Sequence, residues 1–387
     1  MIIQAARRTE SVKEYYFSKK NRQIAEMNAD GRTEPIINLG IGSPDGRPPQ
    51  AAIDELCATA VQNGVHAYQS YTGIPELRKA FAVWYDRWYG VSLDPAKEIQ
   101  PLTGSKEGIL ITSLAFLNKG DKVLVPDPGY PTYSSAARLC EAEIVYYDLV
   151  ESRGWQPDLE ALEASDLSGV KMMWTNYPNM PTGAPADPEL YVKLVDFGRR
   201  HGILICNDNP YSFILTENHY SILSVPGAKD CCLELNSLSK AHNMAGWRLG
   251  MVASSADVIY EILKVKSQLD SGIFRPLQLA AVEALAQGPE WFKELNAEYE
   301  RRRVAAGKLF DALGIKYNPA SQGLFLWGKV PEGVDPVALS DKLLHEAGVF
   351  ITPGFIFGHN GEKYMRVSLC ATVEKLGRAL EKIKAVI

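Results

Sequence analysis

The sequence contains no long hydrophobic run. Nowhere among its 387 residues do about 18 apolar residues follow one another, which is the length that a helix needs to cross a bilayer. Residues 1–27 also lack the apolar core of a signal peptide, because acidic and basic side chains occur throughout them. We therefore expect a cytoplasmic protein with no membrane partner, in which this first stretch forms an arm or a helix.

Cysteine is scarce, and its spacing shows no metal-binding pattern. The six cysteines form no Cys-x-x-Cys pair, and no histidine is placed to complete a zinc site. We therefore predict no metal centre and expect reduced thiols in the core, as is usual in the cytosol. The cysteines are Cys57, Cys140, Cys206, Cys231, Cys232 and Cys370.

The sequence has only a small surplus of charge. Its 41 lysine and arginine residues against 46 aspartate and glutamate residues give a net charge of −5, and the basic residues are scattered along the chain. This distribution argues against a nucleic-acid partner and favours small-molecule chemistry. The composition, 46% hydrophobic and 22% charged, is that of an ordinary folded globular protein.

Short apolar runs alternate with helical patterns in the middle of the chain. Their length and their flanking turn residues fit strands that are buried on both faces, and the runs cover residues 122–126, 143–147, 170–175, 203–206 and 231–235. Apolar residues at helical spacing predict helices over residues 75–89 and 188–200, and a third directly after Ser105. The alternation predicts an α/β fold with a mostly parallel sheet between helices.

The pattern changes after Gly288. A long charged helix is predicted over residues 291–313, followed by short strands at 323–327 and 364–369 with helices beside them. We therefore predict a large domain over residues 46–288 and a smaller α+β domain that is formed, together with an N-terminal arm, by residues 1–45 and 289–387.

Polar and glycine-rich motifs follow the predicted strands, where ligands bind in open α/β sheets. Residues 237–250 carry Lys240 on a loop after a strand, residues 207–211 read Asn-Asp-Asn-Pro-Tyr, and residues 103–108 read Thr-Gly-Ser-Lys-Glu-Gly at the start of a helix. The amides of such a helix N-terminus can bind a phosphate. Each motif alone has a plain alternative, since most lysines are surface charges, Asp-x-Pro is usually a turn and Gly-Ser starts many helices.

Together the motifs point to a family. The run at 237–250 resembles the Ser-x-Ser-Lys…Gly-Trp-Arg-x-Gly stretch of the class I aminotransferases, and the resemblance extends over essentially the whole chain. These are pyridoxal-phosphate enzymes of the aspartate aminotransferase-like superfamily, fold type I. Residues 104–109 and 267–274 also look similar to LL-diaminopimelate aminotransferases.

The resemblance implies a cofactor, pyridoxal 5′-phosphate, and roles for individual residues around it. Lys240 is implied to bond the cofactor covalently and to act as acid and base, and Asp208 to pair with the ring nitrogen, which keeps the ring protonated and a good electron sink. Tyr211 is implied to hydrogen-bond the ring oxygen. The residues implied to hold the phosphate are Gly104, Ser105, Lys106, Ser237 and Arg248.

The resemblance extends to the substrate and to a partner subunit. Arg366, in an Arg-x-Ser context, is implied to grip the α-carboxylate of the substrate, and Ile41 and Gly42 to lie over the site. Tyr68 matches a tyrosine that reaches the phosphate from a neighbouring subunit. We therefore expect a homodimer with shared active sites.

Two positions remain open at this stage. Tyr130, after Asp-Pro-Gly, is either the aromatic residue that stacks on the cofactor ring or a plain core tyrosine. In the family's Asn-Pro-Thr-Gly motif, Met180 stands where an asparagine would hydrogen-bond the ring oxygen. Asn179, one residue earlier, either replaces that asparagine as a cofactor ligand or is a turn residue.

The function that we predict is transfer of an amino group between an L-amino acid and a 2-oxo acid, with 2-oxoglutarate and glutamate as one pair. A carbon–sulfur β-lyase is the alternative, because the same fold supports several reactions. A non-enzymatic ligand sensor is disfavoured, since the chain leaves no residues for a DNA-binding domain. Lys106 could supply a charge for the far end of a substrate, but a lysine is a point charge, so we expect no preference for aspartate.

Overall fold

The computed structural model describes residues 2–31 and 34–387. Met1, Arg32 and Thr33, which belong to the predicted N-terminal arm, lie outside the described residues. The α-helices are α1 (Tyr16–Ala29), α2 (Gln50–Ala60), α3 (Pro75–Tyr89), α4 (Ser105–Phe116), α5 (Pro131–Leu139), α6 (Leu159–Glu163), α7 (Pro188–His201), α8 (Ala256–Lys266), α9 (Arg275–Leu285), α10 (Pro289–Ala312), α11 (Pro336–Lys342) and α12 (Val373–Lys384). The strands are β1 (Ile37–Asn38), β2 (Ile99–Leu102), β3 (Lys122–Asp127), β4 (Glu143–Asp148), β5 (Val170–Thr175), β6 (Leu204–Asp208), β7 (Cys232–Ser237), β8 (Gly250–Ala253), β9 (Lys316–Tyr317), β10 (Phe325–Lys329), β11 (Val349–Phe350), β12 (Thr352–Pro353) and β13 (Tyr364–Ser368).

A seven-stranded sheet in the order β2-β8-β7-β6-β5-β3-β4 forms the centre of the fold. The five strands β7, β6, β5, β3 and β4 run parallel to one another. β8 runs antiparallel to its two neighbours, β7 and β2. The carboxyl ends of the parallel strands therefore meet at one edge of the sheet. This confirms the predicted α/β class with a mostly parallel sheet.

Helices cover both faces of the sheet. Alternating side chains of β5 enter two apolar clusters, since Met172 and Trp174 pack on one face and Met173 packs on the other. The first face is covered by α4, α5 and α8, and the other by helices that include α3 and α7. The predicted helix over residues 75–89 is confirmed, and it ends at Gly90, whose φ of +65° is a conformation that glycine adopts without strain.

The predicted strand at residues 143–147 exists, but its predicted burial on both faces is wrong. β4 is the last strand of the sheet, and Glu143, Tyr146 and Asp148 are exposed. An edge strand has a neighbour on one side only, so alternating polar and apolar residues suffice there. The other predicted runs correspond to the buried strands β3, β5, β6 and β7 within one or two residues.

The C-terminal part of the chain forms a smaller antiparallel sheet in the order β12-β13-β10-β9, with α10 and α12 packed together beside it. β1 pairs in parallel with β11, so the segment after α1 is joined to the C-terminal part of the chain. Both predicted C-terminal strands are found, as β10 and β13. The boundaries of the two domains stay a prediction.

The structure bears on the expectations about membrane-spanning segments and about the cysteines. Within residues 2–31 and 34–387, no helix is long and apolar enough to cross a membrane. All six cysteines are unpaired thiols. The expectation that they lie in the core is wrong for Cys57, which is exposed on α2, while Cys140 and Cys370 are partly exposed. The buried three are Cys206, Cys231 and Cys232.

A fully buried carboxylate lies below the carboxyl ends of β6 and β7. Oε1 of Glu234 accepts hydrogen bonds from the hydroxyls of Tyr85 (3.0 Å) and Ser221 (2.8 Å). Its Oε2 accepts from Asn207 Nδ2 (2.9 Å) and from the backbone N–H of Ile222 (3.1 Å). Burial raises the pKa of Glu234, while the Asn207, Ser221 and Tyr85 donors lower it again. The four donors make this charge tolerable in the interior.

We expect Glu234→Leu to destabilise the protein, because it leaves four buried donors without an acceptor. The loss should be roughly 3 kcal/mol or more, since each unpaired buried donor costs about 1–3 kcal/mol. Glu234→Gln keeps one acceptor oxygen and should lose less. Thermal unfolding followed by circular dichroism tests this order. A Glu234→Leu protein that unfolds at the temperature of the unmodified protein would contradict it.

Candidate active site

A cavity of about 310 Å³ opens at the carboxyl ends of the parallel strands. Loops after β3, β6 and β7 and the N-terminus of α4 form its floor, and the segment around Gly42, strand β13 and the segment before α1 close it from above. Most of the residues expected at the site line it, and these are Ile41, Gly42, Ser105, Lys106, Tyr130, Asp208, Tyr211, Ser237, Lys240, Arg248 and Arg366.

Lys240 lies on the loop after β7, with its amine inside the cavity. Its Nζ donates a hydrogen bond to the carbonyl oxygen of Gly42 at 2.5 Å. Burial lowers the pKa of Lys240, and the positive charges of Arg366 and Arg248 lower it further. No carboxylate among the described residues pairs with this amine. A desolvated lysine of this kind is suited to act as a nucleophile and as a base.

Asp208 ends β6 with a carboxylate that is only half satisfied. Its Oδ2 accepts a hydrogen bond from the hydroxyl of Tyr133 at 2.9 Å, whereas Oδ1 is buried and has no partner among the described residues. Burial raises the pKa of Asp208 to about 7, although the bond from Tyr133 and the charge of Lys240 lower it. An unpaired carboxylate oxygen that lines a cavity fits a protonated ring nitrogen.

Tyr133 is a site residue that the sequence analysis missed. It lies in the first turn of α5, fully buried, with its ring stacked on Trp174 at a centroid distance of 5.0 Å and an interplanar angle of 4°. The stacking fixes the ring and thereby the direction of its hydroxyl toward Asp208. The signal that could have revealed it is its place three residues after Tyr130, one helical turn away.

Three kinds of donor meet on the floor of the cavity. The first turn of α4 offers its backbone amides, the hydroxyl of Ser237 bonds to that of Ser239 at 2.9 Å, and the guanidinium of Arg248 lies beside them. Arg248 donates to backbone carbonyl oxygens of Ala245 (2.9 Å) and Thr103 (3.5 Å) and has no acidic partner in the described part of the chain. Such a set fits a phosphate dianion.

Gly104 makes this close approach possible. Its φ is +81°, and a Cβ atom added there would lie 2.2 Å from Nη2 of Arg248. Any larger residue would push the guanidinium away from the start of α4. Ser239, whose hydroxyl lies 3.5 Å from Nη1 of Arg248, is a second cavity residue that the sequence analysis did not single out.

Arg366 on β13 is a buried cation without a counter-ion. Its guanidinium carbon lies 3.8 Å from the ring centroid of Phe325 and 4.5 Å from that of Phe357. Nη2 donates to the carbonyl oxygen of Gly40 at 2.7 Å, Nη1 contacts the sulfur of Met180 at 3.1 Å, and Nε is unpaired within the described residues. Burial lowers the pKa of Arg366 to about 10, so it stays charged at neutral pH. It fits a substrate carboxylate.

The structure does not bring Asn179 into the cavity. Its Nδ2 donates to the carbonyl oxygen of Asn176 (3.1 Å), and its Oδ1 accepts from the N–H and, at 2.7 Å, from the hydroxyl of Thr182. All its polar atoms are thus used within the turn, which favours the turn-residue alternative. Met180 lines the cavity instead, and a thioether donates no hydrogen bond.

Tyr68 also lies outside the cavity of its own chain. It is on the surface, with 90% of its side chain exposed. Tyr15 and Phe17, which lie just before and at the start of α1, are among the aromatic residues that line the cavity without having been predicted. Nζ of Lys106 lies 4.6 Å from the centroid of the Tyr15 ring. Only the tertiary fold brings this segment, distant in sequence, to the site.

Comparison with known proteins gives one family. The sequence model of the family described as aminotransferase class I and II matches residues 34–383. The LL-diaminopimelate aminotransferase of Moorella thermoacetica is 39% identical over 387 residues, covering 100% of this chain and 99% of that protein. The enzyme of the same name from Aquifex aeolicus is 40% identical over 373 residues, covering 96% of each.

Solved structures agree with this family. Substrate-bound BacF from Bacillus subtilis superposes with a TM-score of 0.94 at 32% identity, covering 99% of this chain and 98% of that one. A single mutant of Thermus thermophilus aspartate aminotransferase superposes with a TM-score of 0.91 at 28% identity, covering all of both chains.

We expect Tyr133→Phe to raise the pKa of Asp208 above about 7, because the hydroxyl that stabilises the carboxylate is lost. A larger fraction of Asp208 is then protonated at neutral pH and cannot pair with a protonated ring. The acidic limb of the pH dependence of pyridoxal-phosphate binding should therefore move to higher pH. Fluorescence titrations across neutral pH measure the limb.

Tyr147→Phe is the matched control. It also removes a buried tyrosine hydroxyl, but that hydroxyl donates to the carbonyl oxygen of Trp174 at 2.7 Å. Its limb should stay where it is in the unmodified protein. If the acidic limb lies at the same pH in the unmodified protein, in Tyr133→Phe and in Tyr147→Phe, then Tyr133 does not control the ionisation of Asp208.

Proposed function

The chain belongs to the aminotransferase class I and II family, and from this premise we propose that its cavity transfers an amino group between glutamate and the 2-oxo acid of a second amino acid that is not aspartate. It is a pyridoxal-phosphate-dependent aminotransferase of fold type I. The observation that carries the proposal is a desolvated amine, Lys240, that shares one cavity with an unpaired carboxylate oxygen of Asp208.

Lys240 is proposed to anchor the cofactor and to move protons. When bound, pyridoxal phosphate supplies an aldehyde that bonds amines covalently and an electron-poor ring that accepts the electron pair left at the amino acid Cα. Because burial lowers the pKa of Lys240, its amine can be neutral and nucleophilic. Its Nζ would then be the base that takes the proton from the substrate Cα and the acid that returns it.

Asp208 and Tyr211 are proposed to set the charge of the ring. The free Oδ1 of Asp208 holds a proton on the ring nitrogen, and Tyr133 orients that carboxylate from the other side. Tyr211 donates its hydroxyl to the ring oxygen. Burial raises the pKa of Tyr211, so it stays a donor at neutral pH. Tyr130, which lines the cavity, is proposed to stack on the ring.

The phosphate is proposed to lie on the cavity floor. The start of α4, with Gly104, Ser105 and Lys106, supplies amides and a positive helix end, while Ser237 and Arg248 supply side-chain donors. The support is the absence, in the described part of the chain, of an acidic partner for Arg248. An anion at this position would balance the positive charge of Arg248 and accept hydrogen bonds from the amides of α4.

The substrate carboxylate is proposed to pair with Arg366. The two phenylalanine rings beside the guanidinium exclude water, and a dry site strengthens a charge-assisted hydrogen bond. Ile41 and Gly42 lie over the same space, and a Cβ at residue 42 would lie 2.2 Å from the ring of Phe325. Glycine at this position therefore allows the segment to close over the substrate.

The proposal for the second substrate rests on a cationic side chain of the cavity that has not yet been assigned a role. After Lys240, Arg248 and Arg366 are assigned, Lys106 is the one cation left among the described residues that line the cavity. A lysine over an aromatic ring gives weaker geometric selection than a planar arginine fork, so strict selection for aspartate is not expected. LL-diaminopimelate is the first donor to test, because the curated relatives carry it in their names. Those names do not favour the carbon–sulfur lyase alternative.

A homodimer in the cytoplasm is part of the proposal. Tyr68 is 90% exposed, and the exposed apolar residues Tyr71, Leu269 and Phe274 lie in the same segment or in the one packed against it. A second copy could cover this surface and receive Tyr68 at its phosphate site. The unpaired thiols of all six cysteines support a reducing compartment.

We expect Lys240→Ala to abolish transamination and covalent attachment of the cofactor, because its desolvated amine is the group proposed for both roles. Borohydride reduction should fix the cofactor to the unmodified protein but not to this variant. Lys106→Ala is the control, since it removes another cavity lysine and should retain the attachment. Attachment that persists in Lys240→Ala, or substantial turnover, would mean that another residue carries the cofactor.

We expect glutamate with 2-oxoglutarate to serve as one half-reaction and a donor other than aspartate to be fastest in the second. The reason is that, once Lys240, Arg248 and Arg366 are assigned, the side chain of Lys106 is the one positive charge left among the described residues that line the cavity. The measurement is a panel of amino donors that includes LL-diaminopimelate, aromatic and neutral amino acids. If aspartate is faster than all of them, this view of the cavity is wrong.

A further inference from the structure

Lys266, the last residue of α8, is a charged side chain in the protein interior next to the floor of the cavity. Its side chain is 1% exposed, and it is not among the residues that line the cavity. Two carboxylates neutralise it: Oε1 of Glu107 at 3.6 Å and Oδ2 of Asp270, to which its Nζ donates a hydrogen bond. A buried lysine is unfavourable without such partners, so the cluster needs a reason.

The first carboxylate connects Lys266 to the start of α4. Glu107 lies in the first turn of this helix, and its second oxygen, Oε2, accepts the backbone N–H of Thr103 at 2.5 Å. Glu107 therefore fixes the backbone on both sides of Gly104. The amides that follow, from Ser105 onward, are those proposed to bind phosphate. The same carboxylate thus contacts Lys266 through its other oxygen, Oε1.

The second carboxylate connects Lys266 to a neighbouring loop. Oδ1 of Asp270 accepts the backbone N–H of Gly272 at 3.1 Å. Gly272 has a φ of +87°, and a Cβ added to it would lie 2.5 Å from the carbonyl oxygen of Gln69. The loop thus packs directly against the segment that carries Tyr68, the residue proposed to reach the phosphate of a second copy.

We propose that Lys266 is a positioning residue for the cofactor phosphate, acting through Glu107 on the start of α4 and through Asp270 on the loop beneath Tyr68. This inference rests on the proposed phosphate site. Two effects combine in it. The lysine fixes the geometry of the amides, and it compensates the negative charge of two carboxylates that would otherwise repel a phosphate dianion in a poorly screened environment.

The experiment uses the full-length holoenzyme with Lys266→Met, which keeps the length of the side chain and removes its charge. Pyridoxal phosphate should be released faster, on the order of tenfold or more, because a buried charge pair is broken beside the phosphate. The ³¹P resonance of the bound cofactor should shift as well. A role in general stability alone would not move that resonance.

Lys264→Met is the matched control. It lies two residues earlier on the same helix and pairs with one carboxylate, that of Glu261, but its side chain is 52% exposed. The same chemical change there should leave release and the ³¹P resonance unchanged. A Lys266→Met holoenzyme that behaves like Lys264→Met in both measurements would overturn the proposal.

Arg248→Met separates this inference from the proposed phosphate site. Fast release from Arg248→Met with normal release from Lys266→Met refutes only the role of Lys266, whereas normal release from both refutes the phosphate site itself. If Lys266→Met does not fold, Lys266→Gln keeps a hydrogen-bond donor for Asp270 and removes the charge. Faster release and a shifted ³¹P resonance are expected from it too, and unchanged values overturn the proposal.

Discussion

The carboxylate of Asp208 is held in the interior with one oxygen bonded to Tyr133 and the other free, and much of the structure is arranged around this half-satisfied charge. A buried carboxylate without full pairing destabilises a fold, and its pKa rises to about 7 as a result. The surrounding sheet tolerates it because β6 is hydrogen-bonded on both sides, by β5 and β7. Asn207, the preceding residue, is anchored by Glu234 beneath. The backbone that carries Asp208 is therefore held in place by its two neighbouring strands and by the hydrogen bond between Asn207 and Glu234.

The cations of the cavity, like the carboxylate of Asp208, are charges without a full set of partners. Lys240, Arg248 and Arg366 converge on one space, and within the described residues none of them pairs with a carboxylate. Their mutual repulsion contributes to the lowered pKa of Lys240. In the absence of ligands this arrangement is unfavourable, so anions that bind it offset a cost already present in the fold. Phosphate and carboxylate groups are the ligands for which such a cavity is complementary.

The sequence predicted the parts of this site that are local. Lys240, Asp208 and Arg248 stand in motifs that follow buried strands, and the parallel sheet brings strand ends together whatever the details of packing. Tyr133 was not predicted because its role depends on tertiary contacts, in which its ring stacks against Trp174 of β5 and its hydroxyl donates to Asp208 of β6. The place of the segment before α1 in the cavity was not predicted, because no pattern in this segment indicates contact with residues far along the chain. Burial of β4 was overestimated, since an apolar run does not reveal that a strand lies at an edge.

The sequence alone does not show which of two lysines, Lys106 or Lys266, faces the cavity. Lys106 lies within residues 104–109 and Lys266 directly precedes residues 267–274, the two segments that resemble those of related enzymes, but only Lys106 was considered for the far end of a substrate. The fold separates them, because Glu107 and Asp270 occupy Lys266 in the interior, while Lys106 faces the cavity above the ring of Tyr15. On this side of the cavity the start of α4 therefore meets the segment before α1, and this is where we propose that the far end of the substrate lies. Since the start of α4 is also the proposed phosphate site, changes of substrate are more easily accommodated in the segment before α1, which leaves cofactor binding intact.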